Sequence, residues 1–393
     1  MTEPQYSLDE IRLRLNDIDN ELLTLISERR KLSIEVAKSK VETSKPVRDA
    51  KREQQLLVKL INNGKKHNLD AHYITQLFHT IIEDSVLLQQ QYLQNLANPQ
   101  LSRKPIARVA YLGAKGSYSN LASRRYFSKK NTELAELGCE NFKEVVKTVE
   151  SGHAEYGVLP IENTSSGSIN EVFDLLQHTT LYIVGEITQS IDHCILTTSD
   201  SSLEDITTLY SHPQPLQQCS EFLSRLDSVA LKSCVSTADA MVAVKELDSP
   251  HVGAIGNASS GKLYGLQSIH GSIANQTENY TRFIVVARKP VEVSEQIPSK
   301  TTLIMSTAHD AGSLVESLLV LQKHNININK LESRPILGNP WEEMFYMDLK
   351  ANIKSDEMKL VIDELTVITK YLKVLGCYPI ENVEPVQPNI KES

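Results

Sequence analysis

From Ser7 to Lys40 the chain runs without a glycine or proline, and Leu15, Ile18, Leu22, Leu25 and Ile26 recur along it at helical spacing. That spacing puts them on one helix face. A helix of this length cannot fold back on itself, so its stripe needs a long partner, and a second copy of the chain supplies one. The stripe then runs into Arg29, Val36 and Lys40. Two further stripes downstream are interrupted in the same way. Asp49, Arg52 and Glu53 sit one or two turns before Leu56 and Leu60, and Ile74, Phe78 and Ile81 lead to Ser85 and Gln89. Polar groups therefore point where a core should be, and buried charge is costly unless it is paired or meets a ligand. Three helices converging on such groups predict a pocket for a small, highly anionic molecule.

With 393 residues the chain has room for two or three domains. A net charge of −8 argues against non-specific nucleic-acid binding, so anions must be captured by local cationic pockets. The five cysteines (Cys139, Cys194, Cys219, Cys234, Cys377) form no CxxC pair and match no zinc spacing, which suits reduced, inert thiols and no metal. Met1 to Ser7 lacks the basic and apolar segments of a secretory signal, and no apolar run reaches membrane-spanning length. A cytoplasmic protein is expected.

Helix two should begin near Pro46 and end at Asn62-Asn63-Gly64, with Asp70 capping helix three. Helix three dissolves into the glutamine-rich stretch 89–94, and a linker follows through Ser102 to Pro105. Beyond it, β-like runs (Arg108 to Gly113, Tyr156 to Ile161, Leu181 to Ile187, His193 to Thr198, His251 to Ile255, Thr281 to Val286) alternate with helical segments. This implies a mainly parallel sheet with helices on both faces. After an apolar-poor boundary from Ala287 to Lys300, the order strand, helix, strand, strand, helix, strand fits a ferredoxin-like α+β sandwich, with a frayed tail from Glu384 to Ser393. The expected domains are 1–95, 105–287 and 299–380.

In the helical region Arg12, Arg29, Lys40 and Arg52 supply cationic donors, and Asp49, Glu53, Ser85 and Gln89 supply acceptors or orienting groups. A pocket of this kind needs no nucleophile. It holds a flexible dianion in a reactive conformation and stabilises charge developing in the transition state. In the middle region, Gly113 to Ser119 (GAKGSYS) is a strand–helix turn able to offer N–H groups and hydroxyls to an anion. It is not a GxGxxG fingerprint, and the chain has none, which disfavours a Rossmann dehydrogenase. Glu162 to Ser168 (ENTSSGS) is too dense in polar groups for helix caps alone. Ser211-His212-Pro213-Gln214-Pro215 with Gln217 and Gln218, and Asn279-Tyr280-Thr281-Arg282-Phe283, add further donors. His212, between Ser and Pro, reads equally as a general acid or as structural.

The run Glu28-Arg29-Arg30, Val47 to Glu53 (VRDAKRE) and Ile82-Glu83-Asp84-Ser85 resembles the all-helical chorismate mutase family. The rest of the chain resembles prephenate dehydratase with an appended ACT domain, so nearly the whole length is similar to the bifunctional family of bacterial phenylalanine synthesis. The resemblance implies an intertwined helical dimer, a two-subdomain α/β dehydratase domain like a periplasmic binding protein, and a ferredoxin-like ACT domain. It implies conversion of chorismate to prephenate and of prephenate to phenylpyruvate without metal or cofactor, under feedback inhibition by phenylalanine.

By that resemblance Arg29 and Lys40 bind carboxylate and ether oxygen of chorismate, and Gln89 shares the ether oxygen. Arg12 reaches the partner protomer's site, Asp49 and Glu53 hold the ring-hydroxyl side, and Arg52 and Ser85 complete the shell. Thr281 is the main dehydratase candidate, read as a positioned donor to the leaving hydroxyl. Glu162, Asn163, Ser211 and Gln218 lie nearby, with Ser117, Ser119, Thr164, Ser165 and Arg282 as carboxylate binders. Gly312-Ser313-Leu314-Val315 and Glu332-Ser333-Arg334-Pro335 are the phenylalanine motifs, followed by Gly338-Asn339-Pro340-Trp341. Ser313 stands where the family usually has Ala. Two other readings are a mutase fused to a dehydrogenase, which lacks its glycine fingerprint here, and a non-enzymatic amino-acid sensor, which leaves the inward polar groups of the helices unexplained.

Overall fold

The computed structural model describes residues 7–100, 106–128, 130, 132–198, 201–226, 229–276, 278–308, 310–336 and 342–381. The expectations for Ser102–Pro105, Gly338–Trp341 and the tail from Glu384 lie outside these residues. The chain divides into two compact units, and the segment 292–298 belongs to the first of them.

Three helices build the first unit: α1 (Leu8–Thr43), α2 (Ala50–Lys66) and α3 (Ala71–Ala97). Ser7 and Glu10 form a reciprocal capping box that starts α1. Asp49 and Asp70 cap α2 and α3 by accepting backbone N–H bonds. Two boundaries differ from expectation. Helix α2 continues through Asn62-Asn63-Gly64, where Gly64 lets Ile74 approach closely; a Cβ there would lie 2.9 Å from Ile74 Cγ1. The glutamine-rich stretch 89–94 stays helical, with Gln89 and Leu93 buried.

The segment 292–298 is no free linker. Val293 and Ile297 are buried, and Val47 N–H donates to Gln296 O at 2.9 Å. Gln296 Nε2 donates to Lys40 O at 2.6 Å and Lys45 O at 2.8 Å. Glu292 N–H and the Asn98 amide exchange bonds at 2.9 and 2.8 Å. This short strap braces the α1–α2 turn.

Among its described residues the second unit holds three sheets. The first has the order Glu133–Cys139, Ile106–Leu112, Tyr156–Asn163, Tyr280–Ala287, Tyr182–Ser190, with Gly167–Ser168 against Tyr156–Asn163. The second has the order Gln267–His270, Cys194–Thr197, Val252–Gly256, Thr208–Ser211, Ala230–Ser233. Both are mixed rather than mainly parallel. Tyr280–Ala287 runs antiparallel to both of its neighbours, and Cys194–Thr197 does the same in the second sheet. The reason is topological. The chain leaves the first sheet through 191–193 and re-enters it at Tyr280, so the returning strand runs against those it joins. The two crossings are tied together: Ile191 N–H donates to Asn279 O at 2.8 Å and Ile273 N–H to His193 O at 3.1 Å.

The third sheet is antiparallel, in the order Ile328–Pro335, Glu343–Leu349, Ser299–Thr307, Thr369–Pro379, with helices Ser313–Lys323 and Asp356–Ile368 covering one face. Its other face shares a core with the first sheet, where Ile304, Tyr346 and Tyr378 meet Leu159, Phe173, Ile183 and Ile284. The approach is so close at Gly376 that a Cβ would collide with the carbonyl oxygen of Ile183. No helix among the described residues is long and apolar enough to cross a membrane.

Candidate active sites

In the first unit, Ile81, Ser85 and Gln89 fall on one face of α3 at four-residue steps, facing α1. Arg29 Nη1 donates to Ile81 O at 3.0 Å and also to Ser85 Oγ. Gln89 Nε2 donates to Ser85 O at 3.2 Å, and its Oε1 is buried with no hydrogen-bond partner. Lys40 Nζ donates to Val47 O at 2.5 Å. Burial, then Arg52, pushes the Lys40 ammonium below the usual lysine range, against the pull of Asp49 and Glu53. Arg52, Asp49 and Glu53 therefore lie within electrostatic reach of Lys40. Glu53 is paired with Arg48 at 3.3 Å, and Arg48 also pairs with Glu83. Arg48 went unselected in the sequence although it lies inside the quoted VRDAKRE run.

Arg12 is not brought to this set. It is exposed beside Asp9 at 3.6 Å. Seventeen residues separate it from Arg29 on the same helix, a rise of roughly 25 Å at 1.5 Å per residue. Of α1 only Ser33 and Ala37 are buried, while Leu15, Ile18, Leu22, Leu25 and Ile26 are exposed.

In the second unit the densest polar node surrounds Asn163, which is 6% exposed. Its Oδ1 accepts from Ser165 N–H and Ser166 N–H, both at 2.9 Å, and from Ser166 Oγ at 3.1 Å. Backbone N–H groups only donate, so this end of the amide must be oxygen. Nδ2 then donates to Thr281 Oγ1 at 2.9 Å, Asn279 Oδ1 at 2.7 Å and Tyr280 O at 3.1 Å. Thr281 Oγ1 is thus an acceptor toward Asn163, and its own proton is left to donate elsewhere.

Other predicted residues are already engaged. Ser211 is fully buried, with Oγ donating to Ile255 O at 3.0 Å. Ser117 Oγ donates to Leu112 O at 2.9 Å, and Ser119 is buried. Thr164 accepts from Tyr280 N–H at 2.9 Å, and Ser165 Oγ donates to Gln276 at 2.7 Å. In the 113–119 turn, Gly113 and Gly116 take positive φ, but the N–H groups of Gly116 and Ser117 are consumed by Asn120 and Ala114. Burial pushes His212 down, and its ring caps the helix Pro213–Gln218.

Glu162 and Arg282 take the opposite face. Thr281 pairs with Asn163 across the sheet and Arg282 with Glu162, and successive strand residues alternate faces. Arg282 meets Glu162 at 2.5 Å, Glu186 at 3.2 Å and Asp348 at 2.6 Å. Lys300 pairs with Glu186 at 2.7 Å and Lys330 with Glu162 at 2.5 Å. Among the described residues three cations thus face four carboxylates, Glu332 being the fourth at 3.5 Å from Lys330, which leaves no surplus positive charge in the cluster for a substrate. Burial opposes ionisation of Glu162 and Asp348, yet Arg282 with Lys330 or Lys300 holds both below the usual carboxylate range. The structure separates this pair from Thr281.

Comparison with known proteins accounts for both halves. A family model for chorismate mutase type II matches residues 11–90, and one for prephenate dehydratase matches 109–291. A bifunctional chorismate mutase/prephenate dehydratase of Enterobacter agglomerans is 54% identical over 98% of this chain and 99% of its own length. That of Escherichia coli (strain K12) is also 54% identical, over 96% and 97%. The chain belongs to the bifunctional chorismate mutase/prephenate dehydratase family. A solved prephenate dehydratase of Arthrobacter aurescens in complex with L-Phe shares the fold of 72% of this chain and 92% of its own, with TM-score 0.62 and 24% identity. The enzyme therefore catalyses two reactions: chorismate to prephenate, and prephenate to phenylpyruvate, carbon dioxide and water.

In the C-terminal module of this bifunctional enzyme, Gly312 takes φ of 97° ahead of helix Ser313–Lys323. An open cleft of about 420 Å3 is lined there by Gly312, Ser313, Leu314, Val315, Glu343 and Phe345, among others. Ser333 and Pro335 lie directly across the sheet from Phe345 and Glu343. Glu332 and Arg334 face the other way. Ser168 Oγ donates to Glu332 at 2.7 Å, and Arg334 grips Asp174 with two bonds of 3.0 Å.

Sequence reasoning missed His193, Tyr118 and Asn279. His193 is fully buried, with Nε2 2.9 Å from Gln218 Oε1 and Nδ1 3.1 Å from the Tyr118 hydroxyl. No local pattern marks it, because its partners are distant in sequence. Asn279 stood inside the quoted NYTRF run.

Proposed function

We propose that the mutase step is carried by Lys40, Gln89, Arg29 and Ser85, with Asp49, Arg52 and Glu53 around the ring. The Claisen rearrangement is unimolecular and builds negative charge on the ether oxygen, so preorganised cations and amide donors suffice. Besides the N–H that bonds Val47 O, the Lys40 ammonium carries two more donors that can serve the developing charge. A second copy of the chain covers the exposed stripe of α1 and delivers Arg12, giving an intertwined helical dimer.

The dehydratase step is carried by Thr281. The bond to the ring carboxylate breaks, its electron pair aromatises the ring, and hydroxide leaves from the opposite carbon. Taking up one proton, prephenate yields phenylpyruvate, carbon dioxide and water. The observation that carries this reading is the Asn163 amide, whose fixed orientation makes Thr281 Oγ1 an acceptor and frees its proton for the leaving hydroxyl. Gln218, Ser117, Ser119, Thr164 and Ser165 surround the substrate, and Ser211, fully buried and held by the Ile255 carbonyl, braces the strand end beside them. Glu162 and Arg282 support the strand pair from behind.

The C-terminal module is an ACT regulatory domain that binds phenylalanine at the 312–315 cleft, with 332–335 on the neighbouring strand, at the junction of two copies. The Arthrobacter relative with bound L-Phe supports this. The deciding experiment is product analysis of Thr281→Val given chorismate. Prephenate should accumulate without phenylpyruvate. Phenylpyruvate formed at the wild-type rate would remove Thr281 from the mechanism.

A further inference from the structure

His193 lies on one of the two crossings between the first and second sheets of the dehydratase half, with no exposed surface. It touches a residue from each side: Tyr118 from the first-sheet side at Nδ1 and Gln218 from the second-sheet side at Nε2. The Tyr118 hydroxyl also donates to Asp192 O at 2.7 Å. Burial holds the ring below the ordinary histidine range, against the effects of Gln218 and Asp192, so it is neutral with one N–H and one lone pair. Gln218 meets the ring with its oxygen, so the N–H is on Nε2 and the lone pair on Nδ1. The Tyr118 proton is then shared between that lone pair and the Asp192 carbonyl.

We propose that His193 is a positioning residue of the dehydratase site, which by donating from Nε2 to Gln218 Oε1 turns the NH2 end of that amide toward prephenate. A donor is what a dianionic substrate requires, and a freely rotating amide would present its oxygen half of the time. Tyr118 completes the device by holding the Nδ1 side of the ring, its proton lying between that lone pair and the Asp192 carbonyl. The same contacts tie the turn at 113–119 to the helix carrying Gln218, so the two sides of the cleft are set by one ring. The inference rests on the reading that Gln218 contacts prephenate.

The test uses the full-length enzyme and prephenate, with mutase activity and thermal melting as controls. A glutamine amide nitrogen reaches the place of Nε2, and an asparagine amide nitrogen that of Nδ1. His193→Gln should keep most of the dehydratase kcat/KM, while His193→Asn and His193→Leu should lose about ten- to a hundredfold. In a Gln218→Ala background the Asn and Leu substitutions should cost little more, because the group they position is gone. If His193→Leu fails to fold, the comparison of Gln with Asn and the mild Tyr118→Phe variant carry the same information. Equal losses for Gln and Asn, or losses that add to that of Gln218→Ala, would make His193 merely structural and overturn the proposal while Gln218 keeps its role. A harmless Gln218→Ala would overturn the reading of Gln218 and the proposal together.

Discussion

Asn163 Nδ2 stands 2.9 Å from Thr281 Oγ1, and three donors at Asn163 Oδ1 prevent the amide from turning over. One side chain thus decides which way the threonine proton points. Asn163→Asp keeps the shape and replaces the donor by an acceptor. The carboxylate would draw the Thr281 proton to itself and repel a dianionic substrate. Dehydratase kcat should fall by about a hundredfold or more, the scale of losing one preorganised donor, while the mutase rate stays unchanged. Phenylpyruvate formation at near wild-type rate would show that the Thr281 proton is not used.

Lys40→Ala should abolish most mutase activity and leave prephenate dehydration intact, since the two sets of residues lie in separate units. The pH profile gives a finer check. Burial and Arg52 lower the Lys40 pKa, so the ammonium loses its proton at a lower pH than a free lysine would. Mutase activity should therefore decline on the alkaline side before the ordinary lysine range is reached. Gln89 does not titrate and adds no limb of its own. In Lys40→Arg the residual activity should persist to higher pH. A limb that stays in place in that variant would assign it to another group.

The position of Arg12 yields a complementation test. Arg12 and Arg29 are separated by about 25 Å of one rigid helix, so one chain cannot supply both to a pocket. Arg12→Ala and Lys40→Ala should each be nearly inactive as mutases. Refolded together in equal amounts, they should recover about a quarter of wild-type activity, because half of the dimers carry one intact site in two. Failure to recover any activity, with dimers present by sedimentation, would place Arg12 outside the site.

Much of this was legible in the chain, for identifiable reasons. The long first helix announces itself because its stripe is local and unbroken. Antiparallel insertion of Tyr280–Ala287 was not legible, because strand direction depends on where the chain returns, which no window of sequence contains. Nor could neighbouring letters reveal that Glu162 and Asn163 serve opposite faces; alternation separates them, but only the docked third sheet, through Asp348 and Lys330, shows which face is filled. Glu133–Cys139 is rich in helix formers and is made a strand by its pairing with Ile106–Leu112. The strap at 292–298 has only Val293, Val291's neighbour across Glu292, and Ile297 to bury, too sparse a pattern to predict docking.

Stability of the second unit should fall in mild acid. Burial lowers the pKa of His193 and of His212, so the folded chain binds fewer protons than the unfolded chain just below the ordinary histidine range. Their contribution is fully present above about pH 6.5 and is lost as pH falls through the folded values. Thermal melting followed between neutral pH and pH 5 should show a declining midpoint, with a shallower decline in His193→Gln. An equally steep decline in that variant would assign the protons elsewhere.

Arg334 lies in the second motif proposed to bind phenylalanine, yet its guanidinium turns away from the cleft side of the sheet and grips Asp174 with two parallel bonds. Asp174 lies on the helix Asn170–His178, which begins shortly after the polar run 162–168. The two neighbours of Arg334 on its strand, Ser333 and Pro335, face the cleft side instead. If phenylalanine bound on that side acts on the dehydratase site through this strand, the Arg334–Asp174 clamp is the contact expected to transmit the effect, because it joins the strand to the helix Asn170–His178. Both side chains are partly exposed, so the pair contributes little to stability, about 1 kcal/mol or less. Arg334→Ala should therefore melt near the wild-type temperature, retain uninhibited dehydratase activity and lose inhibition by phenylalanine. Asp174→Asn tests the clamp from the catalytic side: phenylalanine should still bind by calorimetry but inhibit less. Unchanged inhibition in both variants would move the coupling to a different contact.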